Sequence, residues 1–69
     1  MNTPKRVSIE LLPSVTARTG LAKTTLYQLI KQKKFPRQVR ISDKRVGWIC
    51  SEVDDWINQK IDESREISE

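Results

Sequence analysis

The chain has no histidine and a single cysteine among its 69 residues. Without histidine, the usual zinc ligand sets are out of reach and the commonest acid–base group of catalysis is missing. Cys50 has no disulfide partner in the chain and no imidazole to activate it, so it is expected to serve as a small buried apolar residue late in a strand. Glycine (two) and proline (three) are scarce, so each marks a particular turn. No apolar run approaches the roughly 20 residues that span a bilayer. The opening MNTPKRVS lacks the apolar centre of a signal peptide, and a cytoplasmic location is expected. Acid–base chemistry would then need a carboxylate pair in a cleft, yet most acids fall on one solvated segment. The expectation is a non-enzyme with no cofactor, no metal and no evident small-molecule ligand.

There is no repeat, low-complexity stretch or linker. A chain of this size allows one domain, 1–69, and buries only about 60% of its unfolded surface. Its core is expected over about 7–61, between a basic N-terminal arm and an acidic C-terminal tail.

Charge is present in quantity and sorted by position. Residues 1–50 carry eleven Lys/Arg against two acids, Glu10 and Asp43, a balance of +9. Residues 51–69 carry two basic residues against seven acids, −5, and the two parts together give the net +4. A basic body with an acidic end suits a chain of which one surface meets a polyanion. Mixed surface charge kept for solubility is the plain alternative.

Local patterns supply the elements. The segment 7–12, VSIELL, can form a short edge strand. Pro13 suits the first turn of a helix over 13–19, which Gly20 ends by taking a left-handed conformation. A second helix is expected over about 23–33. Leu26, Leu29, Ile30 and the aliphatic stem of Lys33 share one side; Thr24, Gln28, Lys31 and Gln32 share the other, with Thr25 flanking. Pro36 biases Phe35 away from helical geometry and stops it. The period then changes to two. Val39 and Ile41, then Val46, Trp48 and Cys50, alternate with their neighbours around Ser42-Asp43-Lys44-Arg45, a β-hairpin with a basic tip. Ser51 can cap a last helix whose early acids favour the positive end of the helix dipole. Val53, Trp56, Ile57 and Ile61 lie on its packing face, and whether the last residues continue the helix is left open. The fold class is α+β, mainly α: a small winged helix-turn-helix of three helices with a two-stranded hairpin wing.

A short helix, a turn and a second helix with a polar outer face is the arrangement that sets a recognition helix in the major groove of DNA. Thr24, Thr25 and Gln28 lie on the half that enters first: Gln can bond adenine bidentately, and a Thr methyl can meet a thymine methyl. Lys23 and Lys31 suit phosphates, which add affinity without sequence information. Tyr27, at the edge of the apolar stripe, reads equally as a half-buried core residue and as a phosphate contact through its hydroxyl. Arg40, Lys44 and Arg45 form the wing, for the backbone or the minor groove. Lys33, Lys34 and Arg37 follow the helix as a denser basic run. Arg18 and the Lys5-Arg6 arm are weaker candidates. Trp48 and Trp56 could stack on single-stranded bases, but each falls on an apolar face and is read as core. Replacing Trp56 with Ala should cost about 3–5 kcal/mol.

The order ARTGLAKTTLYQLIKQKKFPRQVRI followed by VGWICSEVDDWI resembles the AlpA family of prophage regulators, within the MerR-like and excisionase-like winged helices. The resemblance covers roughly residues 11–61. It implies a small sequence-specific DNA-binding protein of phages or integrated elements, acting as a transcriptional regulator or as an excisionase that directs an integrase. Ala22 stands where that family usually has serine, and Gln28 where a basic residue is common, so no base preference is carried over. Double-stranded DNA is the expected partner, with an integrase or further copies of the chain beside it, and a nucleoid-associated location. A reading of another class is a small phage-type module that inhibits a host regulator or polymerase through the acidic closing helix.

Overall fold

The computed structural model describes residues 8–67; the N-terminal basic arm and the last two residues of the tail lie outside them. Among the described residues, three helices and three strands follow the order β1 (Ile9–Leu11), α1 (Leu12–Thr19), α2 (Lys23–Lys31), β2 (Val39–Ser42), β3 (Arg45–Ile49) and α3 (Cys50–Ile67). The hairpin is present, and β1 adds a third strand, giving the antiparallel order β1-β3-β2. Glu10 faces Trp48 and Leu11 faces Gly47 on one side of β3, while Val39 faces Gly47 and Arg40 faces Val46 on the other. Directly opposed residues share a face. Trp48, Val46 and Glu10 therefore look toward the helices, and Ile9, Leu11 and Ile41 remain on the outer face, each more than 40% exposed.

Val15 of α1, Leu26 of α2, Phe35, Trp48 of β3 and Val53 of α3 form the buried centre. The three helices, the central strand and the segment after α2 thus give one side chain each, and Trp48 is the largest of those wholly enclosed. Both tryptophans were expected in the core. Trp56 is only half-buried, so the larger cost of truncation, about 3–5 kcal/mol, passes to Trp48.

Gly20 ends α1 as expected, at φ 74°, its N–H donating to the Thr16 carbonyl at 2.8 Å. The second helix starts at Lys23 but stops two residues before the expected end. Lys33 takes φ 63°; its N–H donates to the Ile30 carbonyl (3.0 Å), and the Lys34 N–H donates to the Leu29 carbonyl (2.8 Å). This paired closure normally uses glycine. It turns the chain early enough for Phe35 to swing inward and reach 4% exposure, while the Lys33 stem leaves the apolar stripe and stands exposed.

The other end of the domain departs from expectation in three ways. Cys50 is the first residue of α3 and half-buried, not a late strand residue, although its N–H still donates across to the Ser8 carbonyl (2.9 Å) at the end of the sheet. Ser51 therefore sits inside the first helical turn instead of flanking it. Ile61, expected on the packing face, is 42% exposed, since α3 runs on to Ile67 past the elements it covers. The hairpin turn is also tighter than expected: Asp43-Lys44 alone connect the strands, and Arg45 already pairs with Ser42 across a register shift.

Candidate nucleic-acid interface

The second helix is polar outward because its apolar positions are used inward. Leu26 is fully buried, with Leu29 and Ile30 packed against the core, so Thr24, Gln28 and Lys31, at spacings of four and three, are left on the exposed side with Thr25. Tyr27 lies between the two faces. It is half-buried, its ring 6.2 Å from that of Trp48 and inclined at 58°. That contact fixes α2 against β3, the strand that continues into the wing. Ala22 precedes the helix with extended geometry (φ −72°, ψ 156°) and contributes no side-chain cap.

A shallow concavity runs between α2 and the connector 32–38. Thr24, Tyr27, Gln28, Lys31 and Arg37 line it together, and sequence reasoning had separated Arg37 from the helix face. Lys33 and Gln38 join the same wall. Gln38 was not anticipated; its signal was its place after a proline-fixed bend, which holds residue 38 beside the helix. Of the remaining candidates, Lys23, Thr25, Lys34, Arg40, Lys44 and Arg45 are all exposed but do not line this concavity. Lys44 occupies the hairpin turn, with Arg45 and Arg40 on the adjoining strands.

The electrostatics divide the basic residues in two. Arg18 is structural. Its Nε and a terminal nitrogen donate to the two Glu10 oxygens at 2.8 and 2.9 Å, and its other terminal nitrogen donates to Asp54 Oδ1 at 2.7 Å. Ser14 Oγ donates a further bond to Glu10 at 2.6 Å. Chiefly through the Arg18 bonds, Glu10 is held below the usual carboxylate range, and its two carboxylate partners push Arg18 higher still. Arg18, one of the weaker candidates for DNA, thus has every charged nitrogen engaged. Lys60 likewise pairs with Glu63 (3.3 Å) and lies over the Trp56 ring. Among the described residues, none of Lys23, Lys31, Lys34, Arg37, Arg40, Lys44 and Arg45 makes an ion pair. Lys31, Lys33 and Arg37, the cations that line the concavity, are uncompensated among the described residues, and a polyanion-binding surface needs cations of that kind.

No group of three or more His, Cys, Asp or Glu residues that could hold a metal ion occurs among the described residues, and no helix among them is long and apolar enough to cross a membrane.

Comparison with known proteins bears on the same segment. The chain is 36% identical over 66 residues to the DNA-binding transcriptional activator AlpA of Escherichia coli (strain K12), covering 87% of this chain and 94% of that protein. It is 40% identical over 50 residues to the uncharacterized protein ORF88 of Enterobacteria phage P4, covering 72% of this chain and 57% of that one. Residues 11–61, from the last residue of β1 to the exposed turn of α3, match the sequence profile of the prophage CP4-57 regulatory protein (AlpA). With a match that spans most of its length, this chain belongs to the AlpA family of phage regulatory proteins.

Proposed function

We propose that the chain is a double-stranded-DNA-binding transcriptional regulator of phage or mobile-element type. In this reading α2 enters the major groove. Thr24, Thr25 and Gln28 meet base edges, and Lys23, Lys31, Lys34, Arg37 and the Tyr27 hydroxyl meet phosphates. The wing residues Arg40, Lys44 and Arg45 lie along the backbone or in the adjacent minor groove. The observation that carries the reading is the shared concavity of Thr24, Tyr27, Gln28, Lys31 and Arg37, flanked by cations that no carboxylate neutralises. The E. coli relative, described as a DNA-binding transcriptional activator, supports it.

One domain of this size covers few base pairs, so several copies side by side, or an integrase beside it, supply the specificity it lacks alone. An excisionase role uses the same contacts and adds DNA bending. A cytoplasmic, nucleoid-associated location accompanies either role. The interaction-module alternative draws on the acids of α3, of which Asp54 and Glu63 are already engaged by Arg18 and Lys60.

The experiment compares two variants on a duplex selected by the parent chain from a random pool and on random duplex. Gln28→Ala loses discrimination between the two, whereas Lys31→Ala weakens both about equally. Parent-like binding by both variants would remove α2 from the groove.

A further inference from the structure

The basic run after α2 lies in a segment with no helix or strand of its own, 32–38, between Lys31 and Val39. Such a segment would ordinarily be mobile, and placing its cations on a phosphate backbone would cost ordering entropy. Here it is pinned at three consecutive residues. The Trp56 indole N–H donates to the Lys34 carbonyl at 2.8 Å, and the Trp48 indole N–H donates to the Pro36 carbonyl at 3.0 Å. Between them Phe35 is buried, its ring edge-on to that of Trp56 at 4.9 Å. The two donors come from β3 and α3, 12 and 22 residues along the chain from their acceptors. The Trp56 bond lies near the surface, where water could satisfy the same N–H. Burial alone therefore does not account for it.

We infer that Trp48 and Trp56 are positioning residues for DNA binding: their indole N–H groups clamp the connector so that Lys34 and Arg37 meet phosphates already ordered. The inference rests on the DNA-binding reading above. It adds that affinity depends on two side chains that touch no DNA and act through main-chain carbonyls. Lys34 takes its place from its own clamped carbonyl. Arg37 takes its place from the Pro36 carbonyl that precedes it, and reaches the concavity shared with Tyr27 and Lys31.

The test uses the full chain and a fluorescently labelled duplex of mixed sequence, because phosphate contacts do not depend on sequence. Affinity is measured across about 50–200 mM salt, where each phosphate contact adds about 0.9 to the slope of log K against log salt. Trp56→Phe keeps an aromatic ring on Phe35 and removes the donor. A second variant, made by chemical synthesis, replaces the Trp56 indole with its benzothienyl isostere, which keeps the shape and removes only the N–H. Both are expected to flatten the slope by about one to two contacts and to lower affinity about five- to tenfold at the low-salt end. Val15→Ala, a core truncation that removes neither indole N–H, is the control: it lowers the melting temperature and leaves the slope at the parent value. A parental slope in both Trp56 variants overturns the inference. So does a slope loss in Val15→Ala equal to theirs, because the slope would then follow stability and not the bond. A parent chain with no affinity for duplex at low salt fails the DNA-binding reading itself, a distinct outcome.

Discussion

Arg18 grips Glu10 with two parallel hydrogen bonds and carries the link on to Asp54, joining β1, α1 and α3 through one guanidinium. Glu10 is the buried partner, with 7% of its surface exposed, and charge-assisted bidentate pairing is the strong form of this contact. Glu10→Gln leaves Arg18 with a weaker acceptor and is expected to cost about 1–3 kcal/mol in urea unfolding. The partial exposure of Arg18 holds the value to that range and not above it. The pH dependence follows from the sign of the shift. The Glu10 pKa is lowered on folding, so its stabilisation is complete above the ordinary glutamate range and is lost as pH falls through the folded value. The parent should lose stability steeply below about pH 4, and the Gln variant should show a shallower acid limb. Equal limbs would mean that this pair does not contribute.

Gly47 occupies the one position in β3 where a side chain has no room. A Cβ there would run into Ile9 Cγ2 and stand 3.0 Å from Ile41 Cδ1 and 3.1 Å from the Glu10 carbonyl oxygen. The nearest atom belongs to a β-branched residue that cannot rotate freely, and the third is main chain, so relief requires the strands to shift. Gly47→Ala should destabilise by about 1–3 kcal/mol. Ile9→Ala in the same chain should recover part of that loss, read as a coupling energy in a double-mutant cycle. Additive effects would show that the clash is absorbed elsewhere.

The second helix and the hairpin were legible because each writes its period into consecutive residues: Leu26, Leu29 and Ile30 at helical spacing, then Val46 and Trp48 in alternation. The same alternation misled at Cys50, which continues the period of two but starts α3 where the pairing of β1 with β3 ends and Ser8 accepts its N–H. That pairing joins residues some 40 apart, and no local pattern contains it. The polar face of α2 was legible for the reason that its apolar face was. The share of the connector was not, because residues 32–38 have no period. Their placement depends on Lys33 in a left-handed conformation and on two indole bonds from distant strand and helix positions. The role of Arg18 was hidden in the same way, since a strand residue and a helix residue eight apart meet only after the chain has turned between them.

Ala22 leaves the start of α2 without a side-chain acceptor although its backbone already has the extended geometry of a cap. Ala22→Ser supplies a hydroxyl for the free first-turn N–H groups and is expected to raise stability by about 0.5–2 kcal/mol. The gain should appear as a higher urea midpoint with an unchanged m-value. Unchanged stability would indicate that water already serves those groups as well as a hydroxyl does.

The wing sets the last expectation. Among the described residues, eight unpaired cations lie on α2, the connector and the hairpin: Lys23, Lys31, Lys33, Lys34, Arg37, Arg40, Lys44 and Arg45. If all met phosphates, log K for duplex would fall with log salt at a slope of about −7. With the turn residue Lys44 and the strand residues Arg40 and Arg45 on differently directed positions of the hairpin, a slope of about −4 to −6 is expected. Lys44→Ala and Arg45→Ala should each reduce it by about 0.9. The two placements of the wing separate in the same titration. A backbone contact loses affinity equally on every duplex, whereas an arginine in the minor groove loses most where A·T-rich flanks narrow that groove. A slope that neither variant alters would place the hairpin away from the DNA and leave α2 with the connector as the whole binding surface.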